Sequence, residues 1–394
     1  MNSPEKLRVL LFGRLADEDF GGLERHVRSL VDALSEDVDY VNLVADRGVP
    51  IADFWKCPVV AAPSLGKLAS VYLCPTMPLK ARALHRRRRF DIAHLHLQDP
   101  MSHLAALALP ATLPIVITWH SDIVAQRALL GPYRPFLKRL VARAAAVITQ
   151  SPAHVASMPQ LASLSRSDQR VTVPYGGEFT ALRAPHPKVA ELRRAFGSRI
   201  VFTLGRHVYY KGFDYLIRAI ARVPESRLII GGTGPLTELL RRVAREAGVA
   251  ERTHFVGRVP ETDLPAYYQA CDVFCLPSVD PSESLGAVQV EAMACGKPVV
   301  CCDLRNGVTW VNRDGETGLV VPPRDPEALA AALARLLDDA ALRARLGANA
   351  ERRALAEFSL AALREQTLAV YRRAVGESQA ASASIRPSPS SSTR

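Results

Sequence analysis

The chain has 394 residues, a mass of 43.0 kDa, 48% hydrophobic and 23% charged residues, and a mean hydropathy of +0.04. At about 150 residues per domain, this length predicts two large domains and a tail, and the composition excludes a disordered chain, a collagen and a disulfide scaffold. The formal net charge of +11 indicates an anionic partner or substrate, such as nucleic acid, anionic lipid or a diphosphate.

No transmembrane helix is expected, because the longest nearly apolar stretch, Leu104 to Ile117, is interrupted by Pro110 and Pro114 and is too short to cross a bilayer. The first six residues lead into a strand-like run without the apolar core or cleavage site of a signal peptide, so we expect a cytoplasmic protein. The seven cysteines form no CxxC pair, which predicts reduced core thiols rather than metal ligands.

The first half of the chain alternates short apolar runs with helical patterns. The run Leu7–Phe12 ends at Gly13 and precedes a helical pattern over Leu23–Leu34, which is the order of a βα unit. The same reasoning predicts further strands at Asp39–Val44, Ile92–Leu97, Ile115–Thr118 and Ala146–Thr149, and an amphipathic helix over Pro135–Arg143. We expect an open parallel sheet.

A second series of apolar runs, again separated by helical patterns, begins near residue 199. Its predicted strands are Arg199–Gly205, Arg227–Gly231, His254–Val256, Val273–Leu276, Val299–Cys302 and Leu319–Val321. Two successive series predict an α/β protein with two doubly wound, Rossmann-like domains facing a cleft, with ligands at the carboxyl ends of the strands.

Turn residues at 176–190 interrupt both periodicities and indicate the domain boundary. We therefore expect an N-terminal domain over 1–180 and a C-terminal domain over 181–358. Residues 359–375 resume a helical pattern and are expected to cross back to the first domain. The Ser-, Ala- and Pro-rich residues 376–394 are expected to be a disordered tail.

The segment from Glu283 to Gly296 reads as a loop followed by a helix. The helix is predicted to begin near Leu285 and to end at Gly296, with Pro298 just beyond it. Its first turn offers free N–H groups to a phosphate, and Glu291 lies about 9 Å further along the axis than Glu283. A diphosphate fits between the two carboxylates, which could bind a sugar and a ribose; alternatively, they are a helix-dipole partner and a solvated surface residue.

The segment Glu291 to Val300 with Glu283 at this spacing resembles the signature of retaining nucleotide-sugar glycosyltransferases of family four, which have the GT-B fold. The resemblance covers nearly the whole chain, and it implies that the N-terminal domain over 1–180 binds the acceptor and the C-terminal domain over 181–358 binds the nucleotide sugar. Its other motifs are Gly21 to His26, Thr118 to Asp122, Gly205-Arg206, Lys211-Gly212 and Gly232 to Pro235.

The resemblance implies a role for each matched residue. Arg206 and Lys211 would hold the donor diphosphate, Glu283 would contact the sugar, and His120 would contact the donor sugar from the first domain. We expect these four to be catalytic. The expected donor-binding residues are Gly21, Gly22, Gly205, Gly234, Ser284, Leu285, Gly286 and Glu291.

The resemblance implies a metal-independent, retaining hexosyltransferase that needs no cofactor, in which the donor phosphate accepts the proton of the acceptor. Residues Gly307 to Asn312 and the first-domain motifs resemble those of bacterial O-antigen and surface-polysaccharide transferases, many of which use GDP-mannose. The expected reaction moves mannose to a lipid-linked or growing surface glycan such as lipopolysaccharide. Alternatives are a UDP-sugar-dependent transferase, a GT-B sugar-nucleotide epimerase and a basic nucleic-acid-binding protein. An epimerase would need additional acid/base residues facing the cleft, which the sequence does not mark. Nucleic-acid binding would need aromatic residues interleaved with the basic ones, which the patch lacks.

The positive charge is concentrated in residues 66–145, which contain twelve basic and three acidic side chains. Within this stretch, Leu79–Arg89 and Pro135–Arg143 mix apolar and basic residues at helical spacing, a pattern that suits a membrane surface. We expect this basic patch to bind anionic lipid, so that the protein is peripheral on the inner face of the cell membrane. A solvated basic helix is the alternative.

Overall fold

The computed structural model describes residues 5–13, 22–46, 48, 56–68, 71–97, 99–120 and 127–384. The chain divides into two compact units. The first comprises residues up to Gln150, residues 158–176 and the chain from Leu360 onward, and the second comprises Ser151–Ser157 and Gly177–Ser359. Elements are numbered in chain order.

The first unit is built on a parallel sheet. The described strands of this unit are β1 (Leu7–Phe12), β2 (Val38–Ala45), β3 (Val59–Ala62), β4 (Lys67–Leu68), β5 (Val71–Tyr72), β6 (Ile92–Leu97), β7 (Ile115–Trp119), β8 (Ala144–Thr149) and β9 (Arg170–Thr172). The parallel sheet has the order β3-β2-β1-β6-β7-β8-β9, and β4 and β5 form a separate antiparallel hairpin. The open parallel sheet is therefore confirmed, and β3, β9 and the hairpin are additions to the predicted strands.

Helices of the first unit connect these strands and cover the sheet. They are α1 (Gly22–Leu34), α2 (Met77–Arg88), α3 (Pro100–Leu107), α4 (Arg127–Arg143), α6 (Pro159–Leu164) and α16 (Leu360–Ser384). Helix α4 begins eight residues before the predicted start at Pro135 and contains Pro132 and Pro135. The predicted helix and its end at Arg143 are confirmed, and only its predicted start was wrong, because the two prolines lie inside the helix rather than at its first turn.

The second unit has its own parallel sheet. Its described strands are β10 (Ile200–Leu204), β11 (Arg227–Gly231), β12 (Thr253–Gly257), β13 (Val273–Leu276), β14 (Val299–Cys302) and β15 (Gly318–Val321), in the order β12-β11-β10-β13-β14-β15. This is the strand order of a dinucleotide-binding Rossmann domain. The prediction of two doubly wound, Rossmann-like domains is confirmed.

The helices of the second unit alternate with its strands. They are α5 (His154–Ser157), α7 (Thr180–Arg183), α8 (Lys188–Phe196), α9 (Phe213–Ile220), α10 (Thr237–Glu246), α11 (Leu264–Ala270), α12 (Ala287–Ala294), α13 (Gly307–Val311), α14 (Pro326–Asp338) and α15 (Ala340–Glu357). Residues Tyr209–Lys211 form a 3-10 turn after β10.

Each sheet is buried between layers of helices, because its strands are apolar on both faces. In the second unit, Val201, Leu228 and Val300 from three strands of the sheet belong to one core cluster with Leu216 of α9 and Leu333 of α14. Runs of β-branched and aliphatic residues without polar alternation are typical of such doubly covered parallel strands. The core therefore holds the carboxyl ends of the strands in fixed positions.

The last helix, α16, packs on the first unit. Its Leu363, Val370 and Tyr371 join the core cluster that contains Val9 and Leu30. The guanidinium of Arg364, at the start of α16, donates to Asp37 over 2.6 and 2.8 Å. The helix continues to Ser384, so the expectation of disorder from residue 376 was wrong for 376–384. The Ala, Glu, Gln and Ser residues of this stretch are compatible with a helix and continue its last turns. Residues 385–394 lie outside the described residues.

Within the described ranges, no helix combines the length and the apolar character that crossing a membrane requires.

Candidate active site

The residues that the sequence singled out in the second unit meet at the carboxyl ends of β10 and β13. The strand order reverses between these two strands, and open α/β sheets bind their ligands at such a reversal. Gly205 and Arg206 follow β10 directly, Lys211 ends the 3-10 turn beyond them, and Glu283 lies in the loop between β13 and α12. The fold thus brings together residues that are up to about 80 positions apart in the chain.

The centre of this site is an ion pair between Lys211 and Glu283. The Lys211 Nζ donates to Glu283 Oε2 over 2.5 Å, and the hydroxyl of Ser278 donates to the same oxygen over 2.8 Å. Both charged residues are 9% exposed. Such a pair is costly to desolvate and is stabilised only when its geometry and further hydrogen bonds are good, so this arrangement presents a fixed cation beside a fixed carboxylate.

Gly212 allows the lysine to approach the loop after β13. Its φ of +63° is left-handed, and a Cβ at this position would lie 2.2 Å from the carbonyl oxygen of Pro277. The N–H of Val279 donates to the carbonyl of Tyr210 over 2.8 Å, which joins the two segments through the backbone. A side chain at position 212 would therefore separate Lys211 from Glu283.

Asn306 holds the glutamate loop from the other side. Its Nδ2 donates to the carbonyl oxygen of Glu283 over 2.6 Å, while its Oδ1 accepts from the N–H of Val308 over 3.0 Å and caps α13. This side chain is 1% exposed. Sequence reasoning missed Ser278 and Asn306; the Asn-Gly pair before a short helical pattern was the available signal for the cap.

The turn from Ser284 to Gly286 leads into α12, which begins two residues later than predicted. Gly286 has a φ of +69°, and a Cβ there would lie 2.4 Å from Cδ2 of Leu276. Leu285 is only 4% exposed, so its side chain belongs to the core and only its backbone is available to a ligand. Gln289 Nε2 donates to the Leu285 carbonyl over 2.7 Å and fixes the turn.

Glu291 lies on α12 and is 7% exposed. The hydroxyl of Tyr268 donates to its Oε2 over 2.7 Å. The interpretation of Glu291 as a solvated surface residue is therefore wrong, because the carboxylate is buried and oriented by a tyrosine from α11. Tyr268 was not predicted, since nothing in the local pattern of α11 distinguishes it from a core aromatic residue.

Arg206 provides an exposed cation next to the buried pair. Within the described ranges it has no ion-pair partner at 4.0 Å or less, whereas Lys211 is paired. Gly205 lies close to the lysine stem, since a Cβ there would be 3.2 Å from Lys211 Cε. A Cβ at Gly234 would be 2.6 Å from the His207 carbonyl oxygen, so Gly234 keeps the loop after β11 against the loop after β10.

His120 belongs to the first unit, where it follows β7 and joins a group of histidines. Its Nε2 lies 3.0 Å from Nδ1 of His96, and its Nδ1 lies 3.3 Å from Nε2 of Gln150. The ring of His26 makes edge contacts with the rings of His96 and His120. The loop histidine is thus part of a buried imidazole cluster rather than an isolated side chain.

Burial lowers the pKa values of three buried histidine rings here, those of His26, His94 and His96. It lowers the pKa of His26 to about 4, and it lowers the pKa of His96 well below the ordinary value, with the neighbouring histidines adding to the effect. The next residue in the row, His94, has its pKa lowered to about 3 by burial, and its ring donates or accepts at Tyr371 over 2.6 Å and at Thr118 over 2.8 Å. These imidazoles are therefore neutral at pH 7.

Comparison with known proteins identifies the family of this chain. Residues 20–177 match the profile described as Glycosyltransferase Family 4, and residues 188–353 match that of Glycosyl transferases group 1. The chain is 30% identical over 280 residues to the O-antigen chain mannosyltransferase C of Escherichia coli, covering 70% of this chain and 74% of that protein. It is 31% identical over 365 residues to the phosphatidyl-myo-inositol mannosyltransferase of Mycobacterium leprae, covering 89% and 92%. The chain belongs to glycosyltransferase family 4.

Solved structures of similar fold include HepE of Anabaena in complex with UDP, with a TM-score of 0.77 and 20% identity over 93% of this chain and all of that one. The sucrose-phosphate synthase of Thermosynechococcus elongatus has a TM-score of 0.74 at 26% identity, over 95% and 100% of the two chains. The family-4 glycosyltransferase described here has the GT-B fold, as the sequence predicted.

In this family-4 glycosyltransferase, the predicted residues fall into two places. The second unit contains Gly205, Arg206, Lys211, Gly234, Glu283, Ser284, Leu285, Gly286 and Glu291, and the first unit contains His120 and Gly22. Gly22 begins α1, and Gly21 lies outside the described residues. The roles that the resemblance implies for these residues remain predictions.

Proposed function

We propose that this glycosyltransferase is a retaining hexosyltransferase that moves mannose from GDP-mannose to a lipid-linked or growing bacterial surface glycan. The observation that carries the proposal is the buried Lys211–Glu283 pair at the strand reversal of a Rossmann sheet. A nucleoside diphosphate sugar requires cations for its diphosphate and a carboxylate for its hydroxyls. This site places a cation and a carboxylate side by side, joined by one hydrogen bond.

The cations act on the leaving group. Negative charge develops on the diphosphate as the glycosidic bond breaks, and a preorganised ammonium or guanidinium at that position stabilises it. Lys211 is preorganised by Glu283, and Arg206 is exposed and available for a bidentate contact with phosphate oxygens. Backbone N–H groups at the start of α12 add the positive end of a helix dipole.

The carboxylates act as binders. In the described residues, Oε2 of Glu283 accepts from Lys211 and Ser278, and we propose that its other oxygen binds donor sugar hydroxyls. Glu291, oriented by Tyr268, would bind the ribose as acidic residues do in dinucleotide sites. His120 is proposed to contact the donor sugar. Retention would follow from front-face attack, with the donor phosphate accepting the acceptor proton and no metal ion required.

The choice of donor rests on relatives. Two of the relatives are named as mannosyltransferases, which supports mannose. A UDP-sugar remains the second candidate, favoured by the similarity of fold to a protein crystallised with UDP. Membership in a glycosyltransferase family favours transfer over the epimerase and nucleic-acid-binding alternatives.

The basic patch supports a lipid-linked acceptor and a membrane location. Several exposed large apolar side chains lie among its cations: Leu68 is 63% exposed, Leu79 68%, Leu104 39% and Phe136 50%. On α2, Leu79, Arg82 and Arg86 follow helical spacing and share one exposed face. Apolar residues interleaved with cations suit insertion between anionic headgroups, so we propose that the first unit rests on the cytoplasmic face of the cell membrane.

A donor panel tests the proposed reaction. The full chain is incubated with GDP-mannose, other GDP-sugars and UDP-sugars, and release of the nucleoside diphosphate is followed with and without a polyprenyl-diphosphate-linked saccharide. We expect acceptor-dependent release of GDP, with α-configured product by NMR and no loss of rate in EDTA. Glu283→Gln serves as the matched inactive control. Release of UDP alone would show that the donor is a UDP-sugar rather than GDP-mannose. A β-linked product would overturn the retaining mechanism.

A further inference from the structure

Three histidines of the first unit converge from separate elements. His26 lies in α1, His96 near the end of β6, and His120 directly after β7. One ring nitrogen of each lies within 4.8 Å of the others, and Nδ1 of His96 lies 3.0 Å from Nε2 of His120. His26 is 2% exposed and His96 is 4% exposed.

We propose that His26, His96 and His120 form a binding site for a divalent transition metal of the zinc class. A zinc ion lies about 2.0–2.1 Å from each imidazole nitrogen in a tetrahedral site, which places the nitrogens about 3.3 Å apart. The His96–His120 separation is already close to this value, so the ion replaces one hydrogen bond. The nitrogen of His26 has to move inward by up to about 1.5 Å, which a rotation of the imidazole supplies.

An unsatisfied nitrogen gives a second, independent reason. Nδ1 of His26 is buried and has no hydrogen-bond partner among the described residues. An unpaired buried polar atom is costly, and such atoms call for an ion or water that satisfies them. A flip of the His26 ring would turn either of its nitrogens toward the ion.

The surroundings suit a ligated imidazole. Gln150 lies 3.3 Å from Nδ1 of His120, where its amide can turn its oxygen to accept the N–H of a metal-bound ring. The ring of His94 stacks on His96 at 4.6 Å, and His94 is itself held by Tyr371 and Thr118. A row of hydrogen-bonded rings thus keeps the ligands in place.

The donor set selects the metal. Three imidazoles without a carboxylate favour Zn²⁺ and its neighbours in the first transition row over Mg²⁺ and Ca²⁺, which require oxygen ligands. Three protein ligands leave the fourth position to water. The site shares His120 with the proposed donor contacts, although the proposed transfer chemistry itself requires no metal.

Metal occupancy has a consequence that rests on the proposed function. If His120 contacts the donor sugar, a nitrogen that coordinates an ion is no longer available to the sugar. Zn²⁺ at the site is therefore expected to inhibit sugar transfer reversibly, and a chelator is expected to restore the rate. Metal binding itself does not depend on this role of His120.

The binding experiment uses the full chain, stripped with a chelator and dialysed against Zn²⁺. We expect one Zn²⁺ per chain in the wild type, a loss of affinity of at least about tenfold in His26→Gln, and unchanged binding in His103→Gln. His103 is an equally buried histidine outside the cluster, which makes it the matched control. Circular dichroism verifies that each variant is folded.

A spectroscopic measurement on the wild type keeps the proposal testable even where His26→Gln does not fold. Co²⁺ in place of Zn²⁺ should give the intense visible bands of tetrahedral nitrogen coordination. Absence of stoichiometric Zn²⁺ binding, octahedral cobalt spectra, or equal affinity of His26→Gln and His103→Gln would overturn the site. Zn²⁺ binding without inhibition of transfer would leave the site standing and would instead remove His120 from the donor contacts.

Discussion

The Nζ of Lys211 and Oε2 of Glu283 lie 2.5 Å apart although 72 residues separate them in the chain. Both residues are 9% exposed, and Ser278 donates to the same carboxylate oxygen. Each side chain is therefore held in position by the other. This coupling governs how the site responds to substitution.

Removing either partner of the pair should abolish transfer. We expect Lys211→Ala and Glu283→Ala each to lose about 3 kcal/mol of transition-state stabilisation, which is a hundredfold or more in kcat/KM. Because the two residues act as a unit, the double variant should be about as inactive as each single variant rather than the product of both losses. Steady-state kinetics on the three variants measures this.

Ser278→Ala is the graded control for the pair, since it removes one hydrogen bond to Glu283 and leaves the charges in place. It should retain more activity than either alanine variant of the pair. Near-normal kcat/KM in Lys211→Ala or Glu283→Ala would contradict the site assignment.

A methyl group at Gly212 should open the site. We expect Gly212→Ala to destabilise the second unit by at least about 2 kcal/mol more than the left-handed conformation alone costs, because its Cβ would lie 2.2 Å from the Pro277 carbonyl. Activity should fall with it, since Lys211 is displaced from Glu283. Urea unfolding and kinetics measure the two effects.

Gly248→Ala is the matched control for Gly212→Ala. Gly248 has a φ of +69°, close to the +63° of Gly212, but a Cβ there would meet no atom within 4 Å. It should therefore cost only the roughly 1–2 kcal/mol of the left-handed backbone and leave activity unchanged. Equal destabilisation by the two substitutions would mean that the close approach at Gly212 is unimportant.

Neutralising the basic patch should release the protein from anionic membranes. At about 1 kcal/mol per cation near an anionic leaflet, changing Arg86, Arg87, Arg88 and Arg89 to Gln should weaken vesicle binding by several kcal/mol, and raised salt should imitate the change. The contribution of Arg88 is expected to be the smallest, because its guanidinium lies 3.5 Å from Asp39. Co-sedimentation with phosphatidylserine-containing vesicles measures the binding.

The control for this experiment changes an equal number of exposed arginines in the second unit: Arg194, Arg258, Arg305 and Arg345. It lowers the net charge equally but leaves the patch intact, so vesicle binding should persist. Transfer to a short soluble acceptor should survive in both variants. Binding that is indifferent to lipid charge, or lost equally in both variants, would return the patch to an ordinary solvated surface.

Buried histidines should make the first unit labile to acid. Burial lowers the pKa of His103 to about 3 from an ordinary value of 6.5. Above pH 6.5 this shift has no effect on stability; as the pH falls toward 3, the unfolded chain binds a proton that the folded chain does not, so the free energy of unfolding decreases. The slope is at most about 1.4 kcal/mol per pH unit for one such histidine.

His103→Phe isolates this contribution. The ring of His103 stacks on Tyr133, and neither of its nitrogens has a partner among the described residues, so phenylalanine preserves the stack without a titrating group. Calorimetry at pH 7 and at about pH 5 should show a smaller loss of unfolding free energy in His103→Phe than in the wild type. The difference should correspond to the uptake of about one proton fewer on unfolding. An unchanged pH dependence would show that His103 is protonated within the folded state.

Local patterns in the sequence determined the secondary elements. Apolar runs such as Val273–Leu276 predicted buried parallel strands, since only strands covered on both faces lack polar alternation. Gly296 and Pro298 predicted the end of the helix that follows Glu283, because backbone geometry at these residues is a property of the residue itself. The family motifs determined the residues to examine at the site.

Only the tertiary structure decided which side chains meet. Tyr268 on Glu291, Asn306 on the Glu283 loop and the contact of His26 with His96 and His120 join elements that the strand order brings side by side. Sequence periodicity specifies which face of an element is buried but not which neighbour it faces, because that choice depends on sheet order and on the packing of the whole core. Burial then determines the protonation state of these residues, because an imidazole that is readily protonated in water stays neutral in a core.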